Sequence, residues 1–483
     1  MATNFAASVS SPNHGTIGPD IETNLETATK LQQPGTLPGQ TGAGERAALD
    51  RPILDFYRHD GPDLLAKCRD FHAFIEELAR DGTYSSLYRV KVLSGLDHRI
   101  SVFDEVRGAK SEMICFDSNS YLGLHRHPDV IAAVKSALDQ VGYGTPSAQL
   151  LCGTNRYLIE LEQTVAAFHG RAEAMIFPSG YSANAGALAA LLRKPDLVAV
   201  DRFSHASIHD GVNGSAARRR HVFPHRDMEA LDHFLSMETA GGSSGGKLIA
   251  SDGVFSMHGT LAPLPELRAL ATRHSATLMI DEAHATGVIG PKGRGLEDHY
   301  GMEGAIDVLV GTFSKAAGTA GGYVCGSSAL ISYMRAFASA GVFSATLPAS
   351  TCAGLIQAFL IMDREPEHRH RLWNNVHWLA PALHDAGLCT DARAESPIIT
   401  VFMGTTRLLR RFSRDLFASG IKCGNVDCPA VPAGEAIVRL ALNARHTADD
   451  LAETVETFQR IGRKYDILHR SRAEIQELGK FVN

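Results

Sequence analysis

Lys315 stands in Gly311-Thr312-Phe313-Ser314-Lys315-Ala316-Ala317-Gly318, directly after the apolar run Asp307-Val308-Leu309-Val310. A lysine on a tight turn past a buried strand is poorly solvated. Burial lowers the pKa of its amine and makes that amine a nucleophile. Hydroxyls at Thr312 and Ser314 flank it, where a phosphate ester needs donors. The chemistry this points to is a Schiff-base lysine holding pyridoxal phosphate. A surface lysine on a glycine-rich loop has the same local sequence.

Asp281 follows Thr277-Leu278-Met279-Ile280, at the carboxyl end of a strand, where open α/β sheets bind ligands. An acid there is costly unless a cation meets it. A protonated pyridine nitrogen would meet it, and the ring would become an electron sink. A helix cap or an arginine pair is the alternative. His284, three residues on, is spaced to bond a phenolic oxygen or polarise a substrate carbonyl, or is a plain loop histidine.

Gly180 and Tyr181, in Pro178-Ser179-Gly180-Tyr181-Ser182-Ala183-Asn184, open a helix of small residues. The free amides and dipole of such an end suit a phosphate, though an ordinary capped helix reads alike. His205 follows the run Leu197–Val200 and could stack on a flat ring. His205 and His209 also have zinc-compatible spacing, but with no HExxH and no obvious third ligand no metal is expected. Arg439 lies in the apolar run Ala436–Leu442 and needs an anion, either a substrate carboxylate or a structural acid. The stretch Gly290–Gly295 reads as a turn, since it opens no βαβ unit.

These residues need elements to hold them. Short apolar runs recur at Ala174–Phe177, Leu197–Val200, Lys247–Ala250, Thr277–Ile280 and Asp307–Val310, with helical segments between most of them. Strands buried on both faces of a parallel sheet look like this. The fold class is therefore α/β with a mainly parallel sheet. Helices are expected over Asp63–Leu78, Pro128–Val141 and Asn155–Phe168, the second with Val130, Ile131, Val134 and Leu138 on one apolar face. Short strands are expected over Ile100–Val106 and Met113–Phe116. Past Pro348 helices surround strands such as Ile398–Met403 and Ala436–Leu442, and Thr447 with Asp450 caps the last long helix. The expected organisation is a disordered tail (1–50), an N-terminal arm (51–105), a large domain (106–350) and a smaller α+β domain (351–483). Gly241–Gly246 is expected as a surface loop.

With 483 residues, 44% of them hydrophobic, the chain can bury a large core. A net charge of −6 without a long basic block gives nucleic acid no footprint. Eight scattered cysteines without a CxxC pair point to a reducing compartment, and a cytoplasmic location is expected. No run is long and apolar enough for a transmembrane segment. The first fifty residues lack an apolar signal core and carry no arginine before Arg46, so neither a secretory signal nor an organelle transit peptide is expected.

In this order the motifs resemble the α-oxoamine synthases, fold-type I pyridoxal-phosphate enzymes that include serine palmitoyltransferase, aminooxononanoate synthase, aminoketobutyrate ligase and aminolevulinate synthase. The resemblance runs from about Phe71 to Phe458. Ser118-Asn119-Ser120-Tyr121-Leu122-Gly123-Leu124 is similar to the family's SNDYLGL, and Asp252-Gly253-Val254-Phe255-Ser256-Met257 to its EGVFSMDG. Asp281-Glu282-Ala283-His284 and Phe343-Ser344-Ala345-Thr346-Leu347-Pro348 also fit. Within the family, Gly311–Lys315, Gly318–Gly322 and Pro429–Gly434 are most similar to bacterial serine palmitoyltransferase.

The resemblance implies roles. Lys315 would carry the cofactor and move protons, Asp281 would pair with the pyridine nitrogen and His205 would stack on the ring. His284 and Ser256 would contact the phenolic oxygen. Gly180 and Tyr181 amides, with Thr312 and Ser314 hydroxyls, would hold the phosphate. Arg439 would bind the amino-acid carboxylate, with Asn119 and Tyr121 near the substrates. A homodimer would share the active site, with Ser344 and Thr346 reaching the neighbour's phosphate. The implied reaction joins a small L-amino acid, L-serine first, to a long-chain acyl thioester of CoA or an acyl-carrier protein, with loss of CO2. The product would be an α-amino ketone such as 3-ketosphinganine. Family members using alanine or glycine, a non-catalytic subunit, and an aminotransferase or lyase are the alternatives. Three positions depart from the family pattern: Asp252 for glutamate, His258 for aspartate, and Gln149 where many members carry arginine.

Overall fold

A computed structural model describes residues 51–56, 61–80, 82–240 and 245–480; the expected tail and residues 241–244 of the expected loop lie outside them. Helix α1 (Ala66–Arg80) buries Phe74 and Leu78. Strands β1 (Lys91–Val92), β2 (Arg99–Asp104) and β3 (Ala109–Cys115) follow. β2 stops two residues short of the expected end. Asp104 Oδ1 accepts the amides of Val106 and Arg107 and closes a hairpin turn, which leaves Val106 exposed. β3 begins four residues early because its first half pairs with β2.

Helix α2 (Pro128–Val141) has the expected bounds, with Pro128 in its first turn. Its buried residues are Val130 and Ala137, whereas Ile131 and Leu138, expected on the same face, are exposed. α2 packs on the later helix Ala349–Arg364, where Gly354 admits Val134, so the buried stripe runs along 130, 134 and 137. Helix α3 (Arg156–Phe168), in the expected place, buries Leu158, Leu161, Val165 and Phe168 and is capped by Asn155.

The central sheet has seven strands: β4 (Glu173–Phe177), β5 (Leu197–Asp201), β6 (Arg219–Phe223), β7 (Lys247–Asp252), β8 (Thr277–Asp281), β9 (Val308–Thr312) and β10 (Gly322–Gly326). Their spatial order is β4-β10-β9-β8-β7-β5-β6. β5 to β9 pair in parallel, and β10 runs antiparallel to both its neighbours. Alternate residues enter opposite cores. Leu197, Ala199, Ile249, Leu278, Ile280 and Leu309 face one; Val198, Val200, Leu248, Ala250, Met279 and Val310 face the other. Each large side chain so buried contributes roughly 1.5–3 kcal/mol. Helices α4 (Gly180–Leu191) and α5 (Ala206–Gly214) leave the carboxyl ends of β4 and β5. Two strands were not anticipated. β6 is an edge strand carrying Arg219, Arg220 and His221, and β10 is hidden in a glycine-rich run.

After β10 come α6 (Ala349–Arg364) and α7 (Glu367–Asp385), then β11 (Ile398–Gly404), β12 (Ile421–Lys422), β13 (Gly424–Val426), β14 (Ala436–Ala441) and α8 (Ala448–Lys464). β11-β14-β13 form an antiparallel sheet, while β12 crosses to pair in parallel with β3. Thr447 and Asp450 make the expected capping box on α8. His127 caps α2 through Nδ1, and His368 Nδ1 accepts from Arg371. The remaining nitrogens of both imidazoles face Glu365, at 3.8 and 3.3 Å, so this trio ties α2 to α7. All described residues belong to one compact unit. Among them, no helix is long and apolar enough to cross a membrane.

Candidate active site

The carboxyl edge of the central sheet opens into a crevice of about 310 Å3. Lys315 enters it three residues after β9. Gly318 and Gly321, at φ +82° and +123°, fold the segment back onto β10, closed by Phe313 N–H to Gly321 O at 3.0 Å. That reversal brings Lys315 to the same crevice as Asp281, His205 and His284. Burial holds its amine below the ordinary lysine range, the Asp281 charge opposes this, and Arg439 adds to it.

Asp281 is the last residue of β8 and is 6% exposed. Its Oδ1 accepts from Ala283 N at 2.9 Å and its Oδ2 from Asn184 Nδ2 at 2.6 Å. Asp252 stands beside it across the β7/β8 register and accepts the His205 amide at 3.0 Å. Burial, then the Asp281 charge, pushes the Asp252 carboxyl well above the usual range. The residue that stands in place of glutamate thus anchors the backbone of His205.

His284 Nδ1 lies 2.6 Å from Tyr121 Oη. Burial pulls this imidazole well down, with Lys315 and Arg439 adding to the effect. Burial also pushes the Tyr121 phenol up to about 12, against the neighbouring Arg439. Both groups are neutral near pH 7. A guanidinium only donates, so the hydrogen of Tyr121 is free to go to His284 Nδ1, and Nε2 keeps its own. Arg439 sits in β14 opposite Thr400 and Gly424 and is 8% exposed. Its Nη2 donates to Asn119 Oδ1 at 3.0 Å, while its Nε is buried without a partner among the described residues.

At the other end of the crevice, Ser179 and Ser182 cap α4 reciprocally. The capping consumes the Ser182 amide, so the first two amides of α4, at Gly180 and Tyr181 on the crevice wall, remain outside the cap. Thr312 Oγ1 lies 3.0 Å from Ser314 Oγ. A Cβ on residue 180 would stand 2.7 Å from Thr312 Cβ, so only glycine lets the helix end close on that hydroxyl. Two uncapped amides, two hydroxyls, a buried carboxylate and a low-pKa amine in one crevice fit pyridoxal phosphate.

Nine expected residues meet there or touch it: Lys315, Asp281, His284, His205, Gly180, Tyr181, Thr312 and Ser314 line the wall, and Tyr121 joins through His284. Arg439 and Asn119 form the adjoining group. Ser256 is buried but lies two residues beyond the wall residue Val254. Thr346 is also off the wall; its hydroxyl is buried without a described partner, on a segment bridged to Ala148 through Ala345. Gln149 donates to Ile176 O at 2.7 Å. Asn184, Ser207 and Asp252 line the crevice with no role assigned from sequence. The available signal was a polar residue in the small-residue run of α4.

The aminotransferase class I and II family matches residues 111–458. The chain is 36% identical over 433 residues to 4-hydroxy-2,2'-bipyrrole-5-methanol synthase PigH of a Serratia species, covering 90% of this chain. It spans 65% of the length of that relative. It is 36% identical over 357 residues to 8-amino-7-oxononanoate synthase 1 of Bacillus subtilis, covering 74% of this chain and 90% of the relative. Serine palmitoyltransferase from S. paucimobilis, with bound PLP–myriocin aldimine, superposes with a TM-score of 0.78 at 32% identity, over 83% of this chain and 99% of that one.

Proposed function

The chain belongs to the α-oxoamine synthase family of fold-type I pyridoxal-phosphate enzymes, and from that premise we propose that it condenses L-serine with a long-chain acyl thioester. The cofactor is pyridoxal phosphate and the enzyme class is acyltransferase. The buried, unpartnered Nε–H of Arg439 carries the proposal. A buried guanidinium held by Asn119 at Nη2, with its Nε–H unpaired among the described residues, has a hydrogen left for a small carboxylate.

When bound, pyridoxal phosphate supplies the electron sink for charge left on the substrate α-carbon. The side chains do the rest. Arg439 grips the substrate carboxylate and sets the angle of the α-carbon bonds. Lys315 Nζ, kept low in pKa by burial, takes the α-proton and later returns it. His284 stays neutral and presents Nε2–H to the thioester carbonyl as the new carbon–carbon bond forms. The thiol and CO2 leave, and an α-amino ketone remains. Holding both reactants in one crevice adds the proximity term. With serine and a palmitoyl-type thioester the product is 3-ketosphinganine, an entry to sphingolipid synthesis; the likeness to serine palmitoyltransferase supports this amino acid.

The active form is a homodimer. Tyr143, Leu151 and Phe343 are 80–87% exposed on the two segments that meet at the Ala148–Ala345 bridge. A second copy covering them would bring Thr346 to the neighbouring crevice. The test is product mass spectrometry and CO2 release with glycine, alanine, serine and threonine, each against acyl-CoA and acyl-carrier thioesters. Serine is expected to give the ketone. Turnover of alanine instead would reassign the substrate, and absence of CO2 with every pair would remove the reaction.

A further inference from the structure

Asp281 and His205 leave different strands yet belong to one hydrogen-bonded chain. Asn184 Nδ2 donates to Asp281 Oδ2 at 2.6 Å and to Ser207 Oγ at 3.0 Å. Ser207 Oγ lies 2.7 Å from His205 Nδ1. Asn184 and Ser207 are 1% and 0% exposed. Asn184 Oδ1 has no partner among the described residues.

The donors can be assigned by elimination. Turning the Asn184 amide over would set its carbonyl against the Asp281 carboxylate, acceptor against acceptor. The nitrogen therefore faces Asp281, and an amide nitrogen only donates. With Ser207 Oγ accepting from Asn184, the serine hydrogen points to His205 Nδ1. The Ser207 amide reaches the same nitrogen at 3.3 Å. His205 Nδ1 is bare, so Nε2 carries the hydrogen and is the nitrogen left for the crevice. A buried carbonyl without a donor is unfavourable. Its retention on α4 makes sense only through the two hydrogens that the same side chain gives.

We propose that Asn184 is a positioning residue that couples the two groups facing the cofactor ring. One of its hydrogens holds the Asp281 carboxylate. The other, through Ser207, sets the Nε2–H tautomer of His205. The inference rests on the cofactor reading above.

The test uses holoenzyme labelled with nitrogen-15 at histidine, with the His205 signals assigned by their loss in His205→Gln. In the wild type, a bare Nδ1 and a protonated Nε2 are expected. Asn184→Ala and Ser207→Ala should each produce a mixture of tautomers, while Ser207→Thr, which keeps the hydroxyl, should restore the single form. Asn184→Ala should also weaken cofactor binding about tenfold, the loss of one hydrogen bond to a charged group. Its induced circular dichroism should fall as the ring loses its fixed orientation. A wild-type His205 protonated at Nδ1, or a tautomer unchanged in both alanine variants, overturns the proposal. Should the variants fail to fold, the wild-type spectrum still decides the tautomer. A wild type that shows this tautomer but binds no pyridoxal phosphate would instead strike down the cofactor reading.

Discussion

The two sides of the crevice are built differently. The cofactor side is the carboxyl edge of the central sheet, where Asp281 ends β8 and Lys315 follows β9. The groups there stand at strand ends and on the helices that follow, and short contacts between those neighbours, such as Asn184 to Asp281, hold them. The substrate side is assembled from segments about 320 residues apart. Asn119 meets Arg439, Ala441 N donates to Phe116 O at 2.8 Å, Ala444 N to Tyr121 O at 2.7 Å, and Asn443 Nδ2 to Ser120 O at 2.7 Å. The first arrangement survives wherever the sheet does. The second exists only once the chain has closed on itself. The division suggests that chemistry is anchored in the sheet, while substrate choice is set by the long-range closure.

Substitutions should therefore split by side. Lys315→Ala removes the proton carrier from the sheet side and should lower kcat by at least about 100- to 10,000-fold, read by single-turnover CO2 release. A smaller loss would mean that another base serves. Arg439→Lys acts on the other side. It exchanges a guanidinium fork for a point charge and should raise the KM for the amino acid by about 10- to 150-fold, with kcat changed far less. An Arg439→Lys enzyme with lowered kcat and unchanged KM would break the division.

The smallest effect tests stability on both sides at once. His169 bonds Tyr323 of β10, and His446, five residues past β14, bonds the Cys115 carbonyl at the end of β3. Burial pulls the first down to about 3 and the second to about 4. Between pH 6.5 and about 4 the unfolded chain takes up protons that these folded imidazoles refuse. Stability should be full above pH 6.5 and fall as pH drops, each histidine contributing at most about 1.4 kcal/mol per pH unit. Urea unfolding at pH 7, 6 and 5 should show a shallower fall in His446→Gln than in the wild type. Equal slopes would show that the closure on the substrate side carries no proton linkage.

The same contrast governs what the sequence reveals. The parallel strands were legible because each is a short apolar run between helices, and the groups at their ends followed from the strand-end rule for α/β sheets. The apolar run around Arg439 was legible as a strand, but its meeting with Asn119 was not, because no local pattern encodes a contact over that span. β6 was missed because an edge strand can carry Arg219 and Arg220 without an apolar signature. β10 was missed because only Tyr323, Val324 and Cys325 stand between its glycines, too short an apolar run to stand out; Gly322 is where the sheet passes 2.5 Å from Gly180 N, measured from the Cβ position it lacks. Asn184 was overlooked because a single polar residue in a small-residue helix looks solvated until the partners around it are known.

The central claim is that the amine of Lys315 binds the cofactor aldehyde within reach of the Asp281 carboxylate. Borohydride reduction of the yellow holoenzyme, followed by peptide mass spectrometry, tests it directly. The account predicts one pyridoxyl-phosphate adduct, on Lys315, and its disappearance in Lys315→Ala. An adduct on any other lysine, or a colourless protein with none, would contradict it.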